Sequence, residues 1–366
     1  MRLLPLLLIA TAAAQSNPTV QRSNTAEGLR GASVVTRTIA WVSGTHGTYL
    51  RTTDGGQSWS SAQVPDAANL DFRAVVAFSA DEAFLMSAGP GEQSRIYHTT
   101  DAGQHWQLQF TNSNGKGFFD SMVFWDRTHG VVLGDPIPDD SGKLKFELLR
   151  TDDGEHWSHV PSAQLPPAVE GEGAFAASNT CLAIVPPTWG QPPSRAPARD
   201  SNLWFATGGA VARVFHSPDR GRAWEVFNTP VVHGQDSTGI FSIAFRDPLH
   251  GVIAGGDYKH PDADGSNLAF TEDGGKTWTL SPIHPLAYFS AAAYDRKVSA
   301  KPITTPEPPQ RIFLVGHDFV FDYRPPLNPV RLNAGKKLHV EFNAVAPFPD
   351  GGALLVGPKG VIATIP

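Results

Sequence analysis

Three carboxylates in predicted loops, Asp135, Glu172 and Asp257, are the residues of this chain best suited to chemistry. Hydrolysis of a glycoside needs two carboxyl groups flanking one bond, one as acid and one as base or nucleophile. Arg213 lies in the apolar run "GGAVARVF", where a guanidinium calls for an anionic partner, and Tyr258 follows Asp257 directly. A mouth lined this way suits a cation, a sugar or a basic peptide as well as it suits catalysis. The competing reading is plain, since loops are wet and acidic loop residues are commonly only solvated. These groups are far apart in the chain, so the elements that carry them decide between the readings.

Other chemistry is poorly supplied. Cys181 is the only cysteine, which rules out an intramolecular disulfide, and its setting in "AASNTCLAIV" is that of a small core residue. No strand–GxGxxG–helix unit is present for a dinucleotide, and no His/Cys/Asp/Glu spacing suggests a metal, so neither cofactor nor metal is expected. The loop "HPDADGSN" (His260 to Asn267) resembles a calcium loop but lacks the glutamate that would close it. His129 and His250 occupy equivalent turns, which points to a structural role. A net charge of −6 leaves no basic patch for nucleic acid.

The elements announce themselves by repetition. A turn of the form S/T-x-D-x-G-x-x-W appears around Asp54/Gly56/Trp59, Asp101/Gly103/Trp106, Asp152/Gly154/Trp157, Asp219/Gly221/Trp224 and Asp273/Gly275/Trp278. In the third copy this alignment puts Arg150 at the Ser/Thr position. The tryptophans are separated by 47, 51, 67 and 54 residues. The Asp side chain can accept backbone N–H groups of its own turn, Gly supplies positive φ, and Trp opens the next strand with a large ring to bury between neighbouring sheets. All five turns are thereby explained as folding devices.

Between them lie short strands. "FFDSMVFWDRTHGVVLGD" and "IFSIAFRDPLHGVIAGGD" share a strand, a D-x-x-H-G turn and a second strand, after which come a loop, a third strand, the Asp turn and a fourth. Four antiparallel strands in about 40–50 residues describe a propeller blade. Units near 28–65, 71–112, 118–162, 173–230, 240–284, 287–332 and 341–366 predict an all-β, seven-bladed propeller in one domain, residues 15–366. The last unit shows only three strands, and "NPTVQRS" (Asn17 to Ser23) is expected to supply the fourth and close the ring, leaving no free edge. On the funnel face, loops carrying His46, Asp135, Asp257, Tyr258, His317 and Asp318 would meet loops carrying Glu170, Glu172, His233 and Asp236. The Asp turns fall on the opposite face.

This pattern resembles the BNR/Asp-box propellers, which include sialidases, sortilin-type receptors and the photosystem II stability/assembly factor family. The last is most similar, through F-x-D-x-x-H-G followed by T-x-D-G-G-x-T-W, as Phe245 to Gly255 and Thr271 to Trp278 read here. "GEGAFAASNT", "FATGGAVARVF" and "AGGDY" are similar to a secreted bacterial branch of these propellers, often labelled oxidoreductase, a label with no physical support in these residues. The resemblance implies the fold; it does not by itself fix function.

Two functions are carried forward. The first is a non-catalytic, exported binding or assembly platform, monomeric, for a protein or a carbohydrate. The second is a sialidase-like or related glycoside hydrolase using funnel-face carboxylates. A sialidase is disfavoured by the residues themselves: "SRIYHTT" lacks the Pro of an Arg-Ile-Pro segment, and Tyr258 has no Glu nearby. The N-terminus, "MRLLPLLLIATAAAQS", reads as a signal peptide cleaved after Ala14, which predicts a periplasmic or extracellular protein. No other apolar run is long enough to span a bilayer. Pro-rich insertions at Val185 to Asn202, around Trp189, and at Lys301 to Gln310 are expected to be surface loops.

Overall fold

The computed structural model describes residues 17–185, 201–282, 287–296, 311–317, 319–323, 330–332 and 340–366. Seven antiparallel sheets form a ring of blades. Their first strands are Leu29–Val34, Asp71–Ala77, Phe119–Phe124, Leu182–Ala183, Thr238–Phe245, Phe289–Tyr294 and Ala344–Pro347, in blades 1 to 7. Each first strand touches the next, and the seventh touches the first, so these strands line the axis. The ring closes as expected: Thr19–Gln21 pairs antiparallel with Ile362–Ile365 and becomes the outer strand of blade 7. The leader, Asp318, most of the 185–202 insertion with Trp189, and residues 301–310 lie outside the described residues.

A blade is apolar on both faces, so its core lies between blades. The buried side chains fall into seven clusters, one for each junction of the ring. The five repeat tryptophans each pack into the cluster shared with the preceding blade: Trp59 against Leu354 and Ile362 of blade 7, Trp157 against Phe84 and Met86 of blade 2. Their burial is uneven. Trp59, Trp157 and Trp278 are buried, whereas Trp106 and Trp224 are only half-buried. Trp106 packs edge-on against Tyr49 (5.1 Å) and Trp41 (6.3 Å) of blade 1, and Trp224 edge-on against Phe205 (5.2 Å). Both therefore sit at the rim of their junctions, where one side of the ring meets solvent.

The Asp turns are built by one hydrogen-bond scheme. In the first, the Thr52 hydroxyl donates to Asp54 (2.8 Å) and accepts the Gly56 N–H (2.9 Å), while Asp54 accepts the Ser58 N–H (3.0 Å). Gly56 sits at φ +84°, in the left-handed region that a Cβ disfavours. The same contacts recur at Thr99/Asp101, Ser217/Asp219 and Thr271/Asp273, with Gly103, Gly221 and Gly275 at φ +84°, +86° and +92°. In the third copy the scheme falls one residue along from the sequence alignment. Thr151 donates to Asp153 (3.1 Å) and accepts the Gly154 N–H (2.8 Å), and Asp153 accepts the His156 N–H (2.8 Å). Asp152 instead pairs with Arg150 at the surface (2.9 Å). This turn is one residue shorter than the others between its Thr and its Gly, a deletion the "TDDG" string conceals.

The turns also stitch blade to blade. Gln21, on the outer strand of blade 7, donates to Gly55 O (3.2 Å) and accepts the Trp59 indole N–H (2.9 Å). Gln109, on the outer strand of blade 2, does the same with Gly154 O (3.0 Å) and Trp157 (3.0 Å). Tyr49 donates to Gly103 O (2.8 Å), and Trp204 to Gly274 O (2.8 Å). The indoles of the later turns make no such crossing. Trp224 donates to Gly221 O (3.0 Å) and Trp278 to Gly275 O (2.9 Å), each within its own turn. The Trp106 indole nitrogen is buried with no hydrogen-bond partner among the described residues. In the fourth turn the crossing is made by Arg220, which lies over the Trp125 ring of blade 3, 5.1 Å from its centroid.

Three measurements check this scheme. Gln109→Ala strands a buried indole N–H and a glycine carbonyl, which should cost about 1–3 kcal/mol in urea unfolding. Asp153→Ala should lower the unfolding midpoint, whereas Asp152→Ala should leave it in place. The Ser58 hydroxyl and the His105 N–H hold Asp54 and Asp101 respectively down to about 2. Their contribution to stability is therefore complete above the ordinary value of 3.8 and lost as pH falls toward about 2, so Asp54→Asn should flatten that acid limb.

Candidate functional site

The first strands carry a feature absent from the sequence reading. In blades 1, 2, 3, 5 and 6 the pairing register slips near the start of the first strand, leaving Arg30, Arg73, Asp120, Phe241 and Ser290 bulged. A bulge re-aims the side chain it carries. The signal for these residues was present in the strings "LRGA", "FRAV", "FDSM", "IFSI" and "FSAA": each places one residue between an apolar and a small one, breaking strict alternation.

Several of these bulged residues meet a single segment, 174–180. Arg73 of blade 2 donates to Ala176 O (2.9 Å), Phe241 of blade 5 stacks on Phe175 with centroids 3.9 Å apart, and Ser178 donates to Ser290 O of blade 6 (2.8 Å). Asn179 exchanges hydrogen bonds with the Met122 backbone in blade 3 (2.6 and 3.0 Å), and the Ile243 N–H of blade 5 donates to Thr180 O (2.8 Å). A segment bonded to first strands on opposite sides of the ring must lie on its axis. Residues 174–180 therefore plug the channel.

The plug is anchored where the sequence placed its candidate site. Glu172–Gly173 pairs with Gly208–Gly209, and Gly208 pairs in turn with Gly239, adding two short strands to blade 5. A Cβ on Gly208 would meet Phe175 at 2.3 Å, so glycine is what lets the plug cross there. Arg213 finds its partner in Glu172: Nε donates to Oε1 (2.9 Å) and Nη2 to Oε2, with the glutamate side chain fully buried. Thr207 and the Val169 N–H also donate to Glu172 (2.7 and 2.8 Å). Asp135 accepts the Ala174 N–H (2.9 Å), at the start of the plug, and burial pushes its carboxyl up to about 6.

Asp257 and Tyr258 stand apart from that anchor. Asp257 bonds His260 (2.8 Å) and the Lys259 N–H (2.9 Å) within its own loop. Tyr258 is exposed and meets the edge of Phe241 at 6.1 Å. Of the other funnel residues, His46 pairs with Glu27 (2.7 Å), Asp236 with Lys259 (3.0 Å) and His317 lies 3.7 Å from Glu341, while the His233 ring bonds Val231 O (2.8 Å) and Glu170 is exposed. The turn histidines bond the aspartates of their own turns, His129 to Asp126 and His250 to Asp247, both at 2.9 Å.

Around the plug, the channel mouth gathers groups the sequence reading missed. Asp71 holds Arg73 (2.9 Å) and faces Arg30 at 3.8 Å, and the Arg30 Nε has no hydrogen-bond partner among the described residues. Half-buried Tyr288 packs edge-on to Phe241 at 4.8 Å. Burial first and Glu341 second push its hydroxyl up, while Arg30 and Arg73 oppose them. On the Asp-turn face, a cavity of about 430 Å³ between blades 3 and 4 is lined by Trp125, Arg150, Asp152, Asp219, Arg220 and Arg222. Among the described residues no group of three His, Cys, Asp or Glu is placed to hold a metal, and no helix is long and apolar enough to cross a membrane.

Blades stitched by Asp turns around a closed axis define a BNR/Asp-box-type β-propeller. Residues 12–114, which include blades 1 and 2, match the family described as photosynthesis system II assembly factor YCF48. Solved structures similar over nearly the whole chain include YCF48 bound to D1 peptide, at 17% identity and TM-score 0.63, covering 97% of this chain and 98% of that one. YCF48 from Cyanidioschyzon merolae aligns at 16% identity and TM-score 0.59, covering 96% and 98%. The WD40 propeller domain of Doa1 aligns at 10% identity and TM-score 0.55, covering 95% of each chain. No curated protein matches the chain.

Removing one partner of the buried pair tests its structural role. Glu172→Gln should cost about 3–5 kcal/mol in urea unfolding, and exchanging both Glu172 and Arg213 for leucine should recover most of that loss.

Proposed function

We propose that this protein is a non-catalytic binding platform that seats an extended segment of a partner protein across its channel mouth. The observation that carries this reading is the division of labour among the polar groups. Glu172 is committed to Arg213, and Asp135 and Arg73 to the plug, whereas Arg30, Tyr258 and Tyr288 remain around the opening. Guanidinium and tyrosine groups recognise carboxylates, backbone carbonyls and apolar side chains together, which is the chemistry of a peptide. The similarity to YCF48, solved with D1 peptide, supports a protein partner. Export to the periplasm or cell exterior, with removal of residues 1–14, belongs to the same proposal; N-terminal sequencing of protein secreted by a bacterial host reads it directly.

One observation favours the glycosidase reading: a carboxyl near 6, as at Asp135, suits a general acid. Against it, that carboxyl already accepts a backbone N–H of the plug.

A tiled library of fluorescent peptides, read by anisotropy, tests the platform. Arg30→Glu should weaken the best binder at least about tenfold, and Asp152→Ala on the opposite face should leave it unchanged. Binding indifferent to Arg30 and sensitive to the Asp-turn face would overturn the proposal, as would turnover of aryl glycosides that is lost in Asp135→Asn.

A further inference from the structure

The Asp-turn face holds a cavity that neither the platform nor the folding of the turns accounts for. It has a volume of about 430 Å³ and lies between blades 3 and 4, on the face opposite the channel mouth. Trp125 and Pro218 give it an apolar wall, and Arg150, Arg220 and Arg222 a cationic one.

Arg220 sets this junction apart. Four of the five Asp turns receive a donor from the preceding blade on a glycine carbonyl. The fourth meets blade 3 through Arg220, 5.1 Å from the Trp125 ring centroid. Arg220 sits at φ +60°, in the left-handed region that a Cβ disfavours. The equivalent residues of the first, second and fifth turns are Gly55, Ala102 and Gly274, at φ +76°, +65° and +80°. A glycine would make this turn without strain; the arginine makes it at a cost and puts a guanidinium in the cavity wall. Strained residues of this kind cluster where ligands are held.

The charges of the lining do not cancel. Three arginines face two aspartates, an excess of one positive charge. Asp219 is taken up by its own turn, accepting the Ala223 N–H (2.8 Å), the Arg222 N–H (3.0 Å) and the Ser217 hydroxyl (2.9 Å). Asp152 binds Arg150 (2.9 Å), and the Arg222 guanidinium donates to Asp219 O (3.1 Å). His129, also in the lining, is held by Asp126 (2.9 Å). A guanidinium carries several N–H donors in a fixed fork, so Arg150 and Arg222 keep most of theirs.

We propose that this cavity binds an organic monoanion, its carboxylate or sulfate group held by Arg150, Arg220 and Arg222 and its compact body packed against Trp125 and Pro218. Guanidinium forks match such oxyanions with paired hydrogen bonds. The volume is that of a site for a small molecule rather than for a bare ion. This site goes beyond the platform and does not rest on it, since the two lie on opposite faces.

The chain has nine tryptophans, and the Trp125 indole N–H, which makes no hydrogen bond among the described residues, is the reporter. Indole N–H correlation spectra of the full-length protein would be recorded, with the Trp125 signal identified by its loss in Trp125→Phe. Phenylacetate and phenyl sulfate are the probes, benzyl alcohol the neutral control and inorganic sulfate the bare ion. The Trp125 signal should shift saturably with at least one organic anion below about 50 mM, and the tighter of the two identifies the headgroup. Arg150→Gln and Arg220→Gly should each weaken that binding at least about tenfold, with the other indole signals in place. Arg220→Gly installs the residue that the first and fifth turns carry at this φ, so its loss of binding is not a loss of folding. Asp152→Ala frees Arg150 and should tighten binding about threefold. No saturable shift with either anion overturns the proposal. So does an equal shift with benzyl alcohol, inorganic sulfate binding as tightly as phenyl sulfate, or an affinity unchanged in both arginine variants. None of these outcomes bears on whether a peptide binds at the mouth.

Discussion

A ring of sheets leaves an axis that no blade fills, and the rest of this structure depends on how that axis is closed. The chain closes it with its own residues 174–180, drawn out of blade 4, whose first strand is only Leu182–Ala183. Everything near the axis follows from accommodating that segment. Bulged residues in blades 2, 5 and 6 turn a side chain or carbonyl toward it. Gly208 gives it room to cross, and the buried Glu172–Arg213 pair ties down its entry. Buried ion pairs cost desolvation, so this one is better understood as fixing where the plug starts than as a large source of stability.

Away from the axis, the Asp turns also combine local bonding with a contact to another blade. Each carboxylate and hydroxyl satisfies N–H groups of its own turn, which leaves a glycine carbonyl to receive a donor from the preceding blade in four of the five. Local satisfaction thus becomes long-range adhesion. The donors differ, Gln at two junctions, Tyr at one and Trp at another, and the accepting carbonyl shifts by one residue in the second turn, where it is Gly103, two residues after Asp101. A repeat protein needs no more than that, since each unit is stabilised by its neighbours.

The functional reading follows from what these tasks leave over. Two of the three carboxylates that looked available for acid–base work, Asp135 and Glu172, are taken up in holding the plug, and Asp257 is bonded within its own loop. Arg30 and Tyr288, which the sequence did not single out, stand with Tyr258 near the opening. The proposed platform accordingly treats this mouth as a surface for recognition.

Much of the architecture was legible in the sequence because it is written locally. An Asp, a Gly and a Trp at fixed spacing specify a turn through bonds spanning a few residues, and counting such turns with their flanking strands yields the seven blades and the strand Thr19–Gln21 that completes the last. The misplaced aspartate, Asp152 for Asp153, arose because two adjacent aspartates fit the same pattern and only the hydrogen bonds distinguish them. The depth of each repeat tryptophan was not legible either: Trp106 and Trp224 match the motif as well as Trp59 does, but the neighbouring blade decides how much of the ring is covered. That Arg213 needed an anion was also legible; that the anion is Glu172 was not. Partners across the ring are chosen by where strands meet in space, and bulges such as that at Asp120 shift which face a side chain occupies. Sequence alone thus determined the turns, the blades and their closure. Only the tertiary structure decided what fills the channel, because that depends on contacts between residues of opposite blades, which no local pattern records.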